Sequence, residues 1–246
     1  MNLFSGALEF LTTASSWSGE DGIPARVGEH LLYTLVAVLI ASAIAVPIGF
    51  AIGHIGRGRA LAVGAAGAAR ALPTLGILLL IGLGVGIGIT APMISFVILA
   101  IPSILAGAYS GFEAVDRATI DSARAVGMSE WQIVTKVELP LGLPLLIGGI
   151  RAASLQVVAT ATLASVVGAG GLGTYIFRGL RSNNYALMLA GSLLVVIIAI
   201  VLEIVFSLLQ RVVVPAGVRA QRPPDTRERS IRSRPVTATP LQEGTQ

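Results

Sequence analysis

The chain has 246 residues, of which 54% are hydrophobic and 12% are charged. With a mean hydropathy of +0.83, this composition excludes an ordinary soluble domain and predicts a membrane protein. Cysteine is absent, which excludes disulfides and thiolate chemistry. The two histidines, His30 and His54, are too few to suggest a metal site, and we expect both to be interfacial residues with no further role.

A polar N-terminal segment, residues 1–29, precedes the first predicted span. It carries acids and a single arginine ahead of any long apolar run, so it lacks the basic start of a signal peptide. The uncharged runs 31–52 and 71–112 predict three spans, because the second run is about twice the roughly 20 residues that one crossing needs. Residues 144–167 and 186–210, each interrupted by one charge, predict two more.

The segment 60–69 is apolar but short. It suits either an interfacial helix or the first turns of a long second span. In the second case Arg70 lies deep in the membrane, where an ionisable residue is expected to have a function. Lysine and arginine are more frequent in the predicted loops on the side of the membrane that holds Lys136 than in those on the side that holds Arg26. This bias predicts an extracytoplasmic N-terminus and a cytoplasmic C-terminus in the cell membrane, and an odd number of spans agrees with it.

The C-terminal tail, residues 211–246, holds most of the excess positive charge. It is rich in arginine and proline and poor in apolar residues, which predicts disorder. Anionic membrane lipid is the expected neighbour of this tail, and nucleic acid is not. The sequence therefore divides into the N-terminal segment 1–29, a transmembrane domain over 30–210 and the basic cytoplasmic tail.

The long polar segment between the third and fourth predicted spans covers residues 113–140 and is called the polar loop below. Apolar residues recur at helical spacing from Val115 to Val126, which predicts a short amphipathic helix. Gly127 marks its end. A second helix is predicted from Trp131 onward, stopping at the pair Leu139–Pro140.

The polar loop resembles the cytoplasmic loop of binding-protein-dependent ABC importer permeases, whose motif runs Glu-Ala-Ala, then Gly, then Ile and Leu-Pro. The matching residues are Asp121, Ser122, Ala123, Gly127, Val137, Leu139 and Pro140. Aspartate for glutamate, serine for alanine and valine for isoleucine are mild departures. The resemblance implies the type I importer permease fold, with about five transmembrane helices and a cytoplasmic coupling helix that docks on a separate ATPase subunit.

A physical reason for such a loop can be given without the family. A rigid helix projecting from the membrane transmits displacement better than a flexible connector. Ala123 and Gly127, four residues apart, are expected to leave a shallow face for close approach of a partner. Asp121, Arg124 and Glu130 are expected to fix orientation at its rim, where charge sets specificity more than affinity. Arg124 and Glu130 thereby complete the predicted ATPase-coupling set.

Three further segments, residues 71–76, 137–151 and 167–173, resemble permeases for osmoprotectants such as glycine betaine, carnitine, choline and proline betaine. This resemblance implies a path for a small quaternary amine. It also implies three partners: an ABC ATPase, an extracytoplasmic solute-binding protein, and a second permease copy or a homologous permease.

Two glycine-containing patterns bear on nucleotide binding. Gly168, Gly170 and Gly173 satisfy G-x-G-x-x-G, but a predicted span precedes them where a nucleotide-binding fold needs a strand. A segment of irregular backbone that packs closely or lines a cavity fits better. The chain has no Walker motif, and Lys136 is its one lysine. We therefore expect no catalytic residue, metal or cofactor here, with ATP and Mg²⁺ bound by the partner ATPase.

Polar residues within the spans are candidates for the solute path. The tentative set is Pro73, Thr74, Ser154, Gln156, Thr160 and Thr162. The alternative for the serines and threonines is that they only bond backbone or neighbouring helices. Arg151 and Glu203 are expected to reach toward the cytoplasmic surface.

Three alternatives remain open from the sequence. The first is an importer permease for another small solute, such as methionine or another amino acid. The second is a secondary transporter or channel, which needs no ATPase and is expected to carry mid-membrane ionisable residues or paired repeats. The third is a membrane scaffold, which leaves the patterned polar loop unexplained.

Overall fold

The computed structural model describes residues 2–213. Regular structure within this range is helical, which confirms the all-α prediction. The helices are α1 (Leu3–Thr12), α2 (Ile23–Ile55), α3 (Arg59–Ala71), α4 (Thr74–Val85), α5 (Thr90–Glu113), α6 (Arg117–Ala125), α7 (Glu130–Ile133), α8 (Leu139–Ala161), α9 (Gly173–Arg181) and α10 (Tyr185–Val213). Residues 214–246, which hold most of the predicted disordered tail, lie outside the described residues.

Four helical stretches are long and apolar enough to cross a membrane: α2, α5, α10 and the stretch Glu130–Val167, which contains α7 and α8. Helix α4 has 12 residues, or about 18 Å of helix, which is shorter than the hydrocarbon core of roughly 30 Å. It can cross only together with α3, from which it is bent by 85°. The five predicted spans are recovered when this bent pair is counted as one.

The bend between α3 and α4 shows what the ambiguous segment 60–69 does. Leu72 and Pro73 both adopt extended backbone angles between the two helices. Proline disfavours the helical conformation of the residue before it, so the helix direction breaks here. Residues 60–69 thus belong to a separate helix, and Arg70 lies exposed in its last turn.

Helix α5 is the centre of the bundle, with α2 and α8 packed against it. Its most apolar stretch is 61% buried, against 6% for that of α10. Small residues permit the close packing: a β-carbon on Gly53 of α2 would lie 2.8 Å from the carbonyl oxygen of Tyr109 in α5. Helix α10 instead leaves most of its apolar surface uncovered by this chain, as expected where lipid is the neighbour.

The predicted stop of the second loop helix at Leu139–Pro140 is wrong. The chain continues from α7 through a π turn at Val134–Glu138 directly into α8. In the π turn the amide of Leu139 donates to the carbonyl of Val134, a wider turn than in an α-helix. Pro140 follows this wider turn directly, so the helix passes through a proline that lacks the amide proton of a regular helical residue.

Candidate functional site

The first helix of the polar loop has well-defined ends. Asp116 caps α6, and its side chain accepts a hydrogen bond of 3.2 Å from the amide of Ala118. At the other end Gly127 has a φ of 87°, its amide donates to Arg124, and the amide of Met128 donates to Ala123. These two bonds and the left-handed glycine form a Schellman motif. The prediction that Gly127 ends the helix is confirmed.

The second helix of the loop begins with a reciprocal cap. The Ser129 amide donates to the Gln132 side chain at 2.9 Å, and the Gln132 amide donates to the Ser129 hydroxyl at 3.4 Å. This capping box satisfies amides that the first turn of α7 leaves without helical partners. Both helices of the loop are therefore fixed by local bonds, and the chain between them is short.

The polar loop has a small apolar core of its own, which changes one prediction. Val115, Ile120, Ala123 and Ile133 are buried together, with Met128 and Val137 packed beside them. Ala123 is 8% exposed, so its side chain holds α6 against the rest of the loop and does not form an outward docking face. The prediction of a shallow face at this alanine is wrong, because the helical spacing shows that an apolar face exists but not what covers it.

The outward surface of the polar loop carries different residues. Val126 is 79% exposed and Trp131 is 74% exposed. No heavy atom lies within 4 Å of a β-carbon built on Gly127, so the surface around this glycine is open. We call Val126, Gly127 and Trp131 the outer patch.

Charged residues predicted to lie at the rim of the loop do meet. Arg124 binds both carboxylate oxygens of Glu130, at 2.8 and 3.0 Å, and contacts Asp121 at 3.2 Å. The bond with Glu130 is the main cause that raises the pKa of the Arg124 guanidinium above its usual value. Ser122 is turned inward to its own helix, donating to the Ala118 carbonyl.

His54, expected to have no further role, joins this charged group from α2. Its Nδ1 lies 2.6 Å from a carboxylate oxygen of Glu138, and its Nε2 lies 3.3 Å from one of Glu130. Glu138 is 1% exposed. Sequence reasoning missed both His54 and Glu138. The available signal was an acid between Val137 and Leu139, because a carboxylate within an apolar face needs a partner.

His30, also expected at an interface, is fully buried. Its Nε2 lies 2.9 Å from the carbonyl oxygen of Val158 in α8. Its neighbours on α2 hold the glycine-rich segment: Glu29 accepts from the amide of Gly171 at 2.9 Å, and the Tyr33 hydroxyl donates to the carbonyl of Ala169 at 2.6 Å. These bonds satisfy irregular backbone inside the bundle, as the sequence predicted for this segment.

The same glycine-rich segment lines a cavity at the N-terminal end of α2. Its volume is about 460 Å³. Three arginines contribute to its wall, Arg26, Arg178 and Arg181, with Ser165, Gly168, Gly170, Thr174, Phe177 and Ser182. Asp21 beside it pairs with Arg26 and, at 3.0 Å, with Arg178. Within the described residues no ion pair is formed by Arg181.

Four of the six predicted path residues lie in the stretch Glu130–Val167 and divide into two groups. The hydroxyls of Ser154, Thr160 and Thr162 donate to carbonyls three or four residues earlier in their own helical stretch, which is the alternative kept open above. Gln156 instead reaches another helix, accepting from Ser103 of α5 at 3.4 Å.

The two remaining path residues and the charged pair within the spans complete the set. Pro73 and Thr74 sit at the bend between α3 and α4. Arg151 and Glu203 pair with each other across α8 and α10, with Nε and a carboxylate oxygen 2.7 Å apart. Arg151 also binds the side chain of Gln210 at 2.8 Å. The sequence-based expectation that Arg151 and Glu203 reach toward the cytoplasmic surface did not include this pairing.

A helical bundle with one ordered polar loop between two packed spans defines a membrane permease component. The chain belongs to the family described as the inner membrane component of binding-protein-dependent transport systems, whose model matches residues 25–217.

Named relatives support this assignment. The chain is 32% identical over 197 residues to the glycine betaine/carnitine/choline transport system permease protein OpuCB of Bacillus subtilis, covering 80% of this chain and 91% of that protein. It is 35% identical over 194 residues to the carnitine transport permease protein OpuCB of Listeria monocytogenes, covering 79% and 89%. It is 32% identical over 199 residues to the osmoprotectant import permease protein OsmW of Salmonella typhimurium, covering 78% and 91%.

Solved structures agree on the fold. A chain of the MetNI methionine ABC transporter in an inward-facing conformation superposes with a TM-score of 0.66 at 24% identity, covering 76% of this chain and 94% of that one. A chain of an amino acid ABC transporter with histidines gives 0.59 at 20% identity, covering 77% and 91%. The bundle thus has the type I ABC importer permease fold, as the sequence predicted.

Proposed function

We propose that this chain forms the membrane path of an ATP-driven importer for a small osmoprotectant of the quaternary amine class, such as glycine betaine, carnitine or choline. The observation that carries the proposal is the ordered polar loop, with its capped helices, apolar core and family motif. The solute class rests on the names of the permeases to which the chain is 32–35% identical.

The polar loop would dock on a separate ATPase subunit through the outer patch. Tryptophan is enriched among the residues that dominate binding energy at protein interfaces, and Trp131 is largely exposed here. The rim formed by Asp121, Arg124 and Glu130 would orient the docked subunit. In this proposal the remaining residues of the predicted set keep the loop in one shape: Ala123 and Val137 from its apolar core, and Ser122, Leu139 and Pro140 within their own helices.

Movement of the ATPase would reach the membrane through both ends of the polar loop. The loop continues into α5 on one side and α8 on the other, so displacing it displaces the central pair of the bundle. With a second permease copy or homologue opposite, this motion would switch a shared central path between inward and outward opening. Gln156 and the bend at Pro73 and Thr74 are our candidates for lining that path.

The arginine-lined cavity would face the extracytoplasmic side, with the N-terminus outside and the C-terminus in the cytoplasm. An acidic surface on the solute-binding protein is the complementary partner for Arg178 and Arg181. Because aromatic residues are only 5% of the chain, tight recognition of a quaternary ammonium by aromatic faces would belong to that binding protein. ATP and Mg²⁺ would bind the ATPase.

The test is transport by the complete assembly in proteoliposomes. The permease is reconstituted with the ATPase and binding protein that copurify with it, and uptake of labelled glycine betaine, carnitine, choline and methionine is compared. We expect ATP-dependent uptake of at least one quaternary amine and growth rescue by it at high osmolarity. Uptake of methionine alone would replace the proposed solute, and uptake without any ATPase would overturn the importer assignment.

A further inference from the structure

The polar loop is attached to a span that is not its neighbour in sequence. Covalently it continues into α5 and α8 only. His54 lies in the last turn of α2, and its ring touches Glu130 in the first turn of α7 and Glu138 in the π turn. Three spans therefore meet the loop, and the third does so at His54.

Both contacts of the His54 ring are with acceptors. A carboxylate oxygen only accepts hydrogen bonds, so Nδ1 donates to Glu138 at 2.6 Å, while Nε2 faces an oxygen of Glu130 at 3.3 Å. The hydrogen bond from the His54 ring gives Glu138, which is 1% exposed, the partner that a buried carboxylate needs. The attachment is directional as well as attractive, because each nitrogen faces one acid.

The attachment extends into the proposed docking surface. Glu130, which His54 contacts at 3.3 Å, is also held at both oxygens by Arg124 of α6, at 2.8 and 3.0 Å. A connected series thus runs from Arg124 through Glu130 and His54 to Glu138. It joins the two helices of the polar loop to the end of α2 and the start of α8.

We propose that His54 is a positioning residue for coupling, which transmits displacement of the polar loop to α2. The inference rests on the proposed function, since it concerns how ATP-driven movement of the loop is used. Without the imidazole, the loop moves α5 and α8 while α2 is no longer held to it. ATP hydrolysis then continues, but less of it produces transport.

The experiment compares His54→Gln with wild type in the reconstituted importer, recording glycine betaine uptake and ATP hydrolysis in the same vesicles. We expect about a tenfold loss in solute moved per ATP, the size that loss of a charge-assisted hydrogen bond brings, with hydrolysis retained. His54→Arg should restore most of the ratio, because a guanidinium can donate to both carboxylates. Arg57→Gln is the control, since Arg57 lies two residues beyond the end of α2, outside the polar loop, and makes no ion pair within residues 2–213; it should leave the ratio unchanged.

A double variant separates a linked pair from two independent effects. If His54 and Glu138 act together, adding Glu138→Gln to His54→Gln should cost little beyond the single change. Losses that multiply, or a wild-type ratio in His54→Gln, would overturn the proposal. Should His54→Gln fail to assemble, Glu130→Gln removes the charge that faces both His54 and Arg124, at a side chain that is 56% exposed. Arg124→Gln, which leaves the His54 contact in place, is its control. Glu130→Gln should lower the ratio more than Arg124→Gln does, and equal ratios in the two variants would count against the link.

Hydrogen exchange on the permease alone tests the attachment without transport. His54→Gln should speed amide exchange over residues 130–138, and Arg57→Gln should not. Equal exchange in wild type and His54→Gln would overturn the attachment. A wild-type assembly that couples hydrolysis to no quaternary amine would instead overturn the proposed function, so the two failures are distinguishable.

Discussion

Gly107 of α5 and Gly149 of α8 bring two backbones into direct contact. A β-carbon on Gly107 would lie 2.8 Å from the Cα of Gly149, and one on Gly149 would lie 2.9 Å from the Cα of Gly107. In lipid, apolar side chains gain little by leaving the bilayer, so close backbone approach is a main source of helix association. The two spans that flank the polar loop are thereby packed as a pair and can move together when the loop is displaced.

Replacing Gly149 by valine should separate this pair. The added carbons meet the backbone of α5, which cannot move aside as a flexible side chain would, and such overpacking costs about 1–3 kcal/mol. Thermal unfolding of the detergent-solubilised permease measures the loss. Gly84→Ala in α4 is the control, because nothing lies within 4 Å of its β-carbon. An equal effect of both changes would mean that the close α5–α8 contact is not what stabilises the bundle.

Replacing Gly127 tests whether the shape of the polar loop matters for coupling. Its surroundings are open, so a substituent meets no clash, and what is changed is the cost of a φ of 87°. That left-handed conformation costs a β-branched residue about 1–2 kcal/mol, and asparagine adopts it readily. Gly127→Val should therefore lower uptake per ATP hydrolysed, whereas Gly127→Asn should stay near wild type. Normal uptake by the valine variant would remove the coupling role of this turn.

Local patterns in the sequence predicted the elements of this structure well. The apolar runs marked the spans, and Gly127 marked the end of α6 because a left-handed glycine is a property of a few neighbouring residues. Two features depended on longer range. Helical spacing identified Ala123 on an apolar face, but Ile133 of the next helix covers that face, which no local pattern records. Pro140 suggested a stop, and the π turn before it carries the helix through.

The charged group at the loop was predicted in part. Asp121 and Arg124 are three residues apart on α6, so helical geometry places them near each other. Glu130 begins the next helix, and the short turn at Gly127 returns it to Arg124. His54 and Glu138 are 84 residues apart, and their meeting is fixed by the packing of α2 against α5 and α8. A buried acid predicts that a partner exists but not which residue it is. That is why tertiary structure was needed to identify His54.

Acidification should weaken the N-terminal end of the bundle through Asp21. The hydrogen bond from Arg26 is the largest effect that lowers the pKa of Asp21 below its usual 3.8. A carboxyl whose pKa falls on folding adds stability above the unfolded value, and that stability is lost as pH falls through the folded pKa. The difference in unfolding temperature between wild type and Asp21→Asn should be constant above about pH 5 and shrink below pH 3.8.

The Asp21 effect should be small and sensitive to salt, since the carboxylate is exposed and screened by water and ions. Thermal scans at low and high ionic strength provide the control. A difference that widens as the pH falls would contradict this assignment.

Reversing the charge of Arg181 should weaken binding of the solute-binding protein. This side chain lines the cavity and makes no ion pair within residues 2–213, so Arg181→Glu disturbs little inside the permease. We expect a higher Kd for the binding protein on permease in nanodiscs, with a difference that fades at high salt. Arg57→Glu, in the segment that follows α2 at the opposite end, is the matched control. An unchanged Kd for Arg181→Glu would exclude the cavity from the docking surface.

Removing the Trp131 side chain should loosen the ATPase while leaving the permease folded. The ring is 74% exposed and contributes nothing to the apolar core of the polar loop, so Trp131→Ala costs little in the isolated chain. Central interface tryptophans commonly contribute about 2 kcal/mol or more, so the Kd for the ATPase should rise at least about tenfold. Trp17→Ala is the matched control, because the Trp17 side chain is also exposed, at 52%. Trp17 precedes the N-terminal end of α2, whereas the polar loop contacts the C-terminal end of α2. Equal Kd values for the two variants would exclude the outer patch as the ATPase contact, whereas a rise confined to Trp131→Ala would place the ATPase on the same loop that His54 ties to α2.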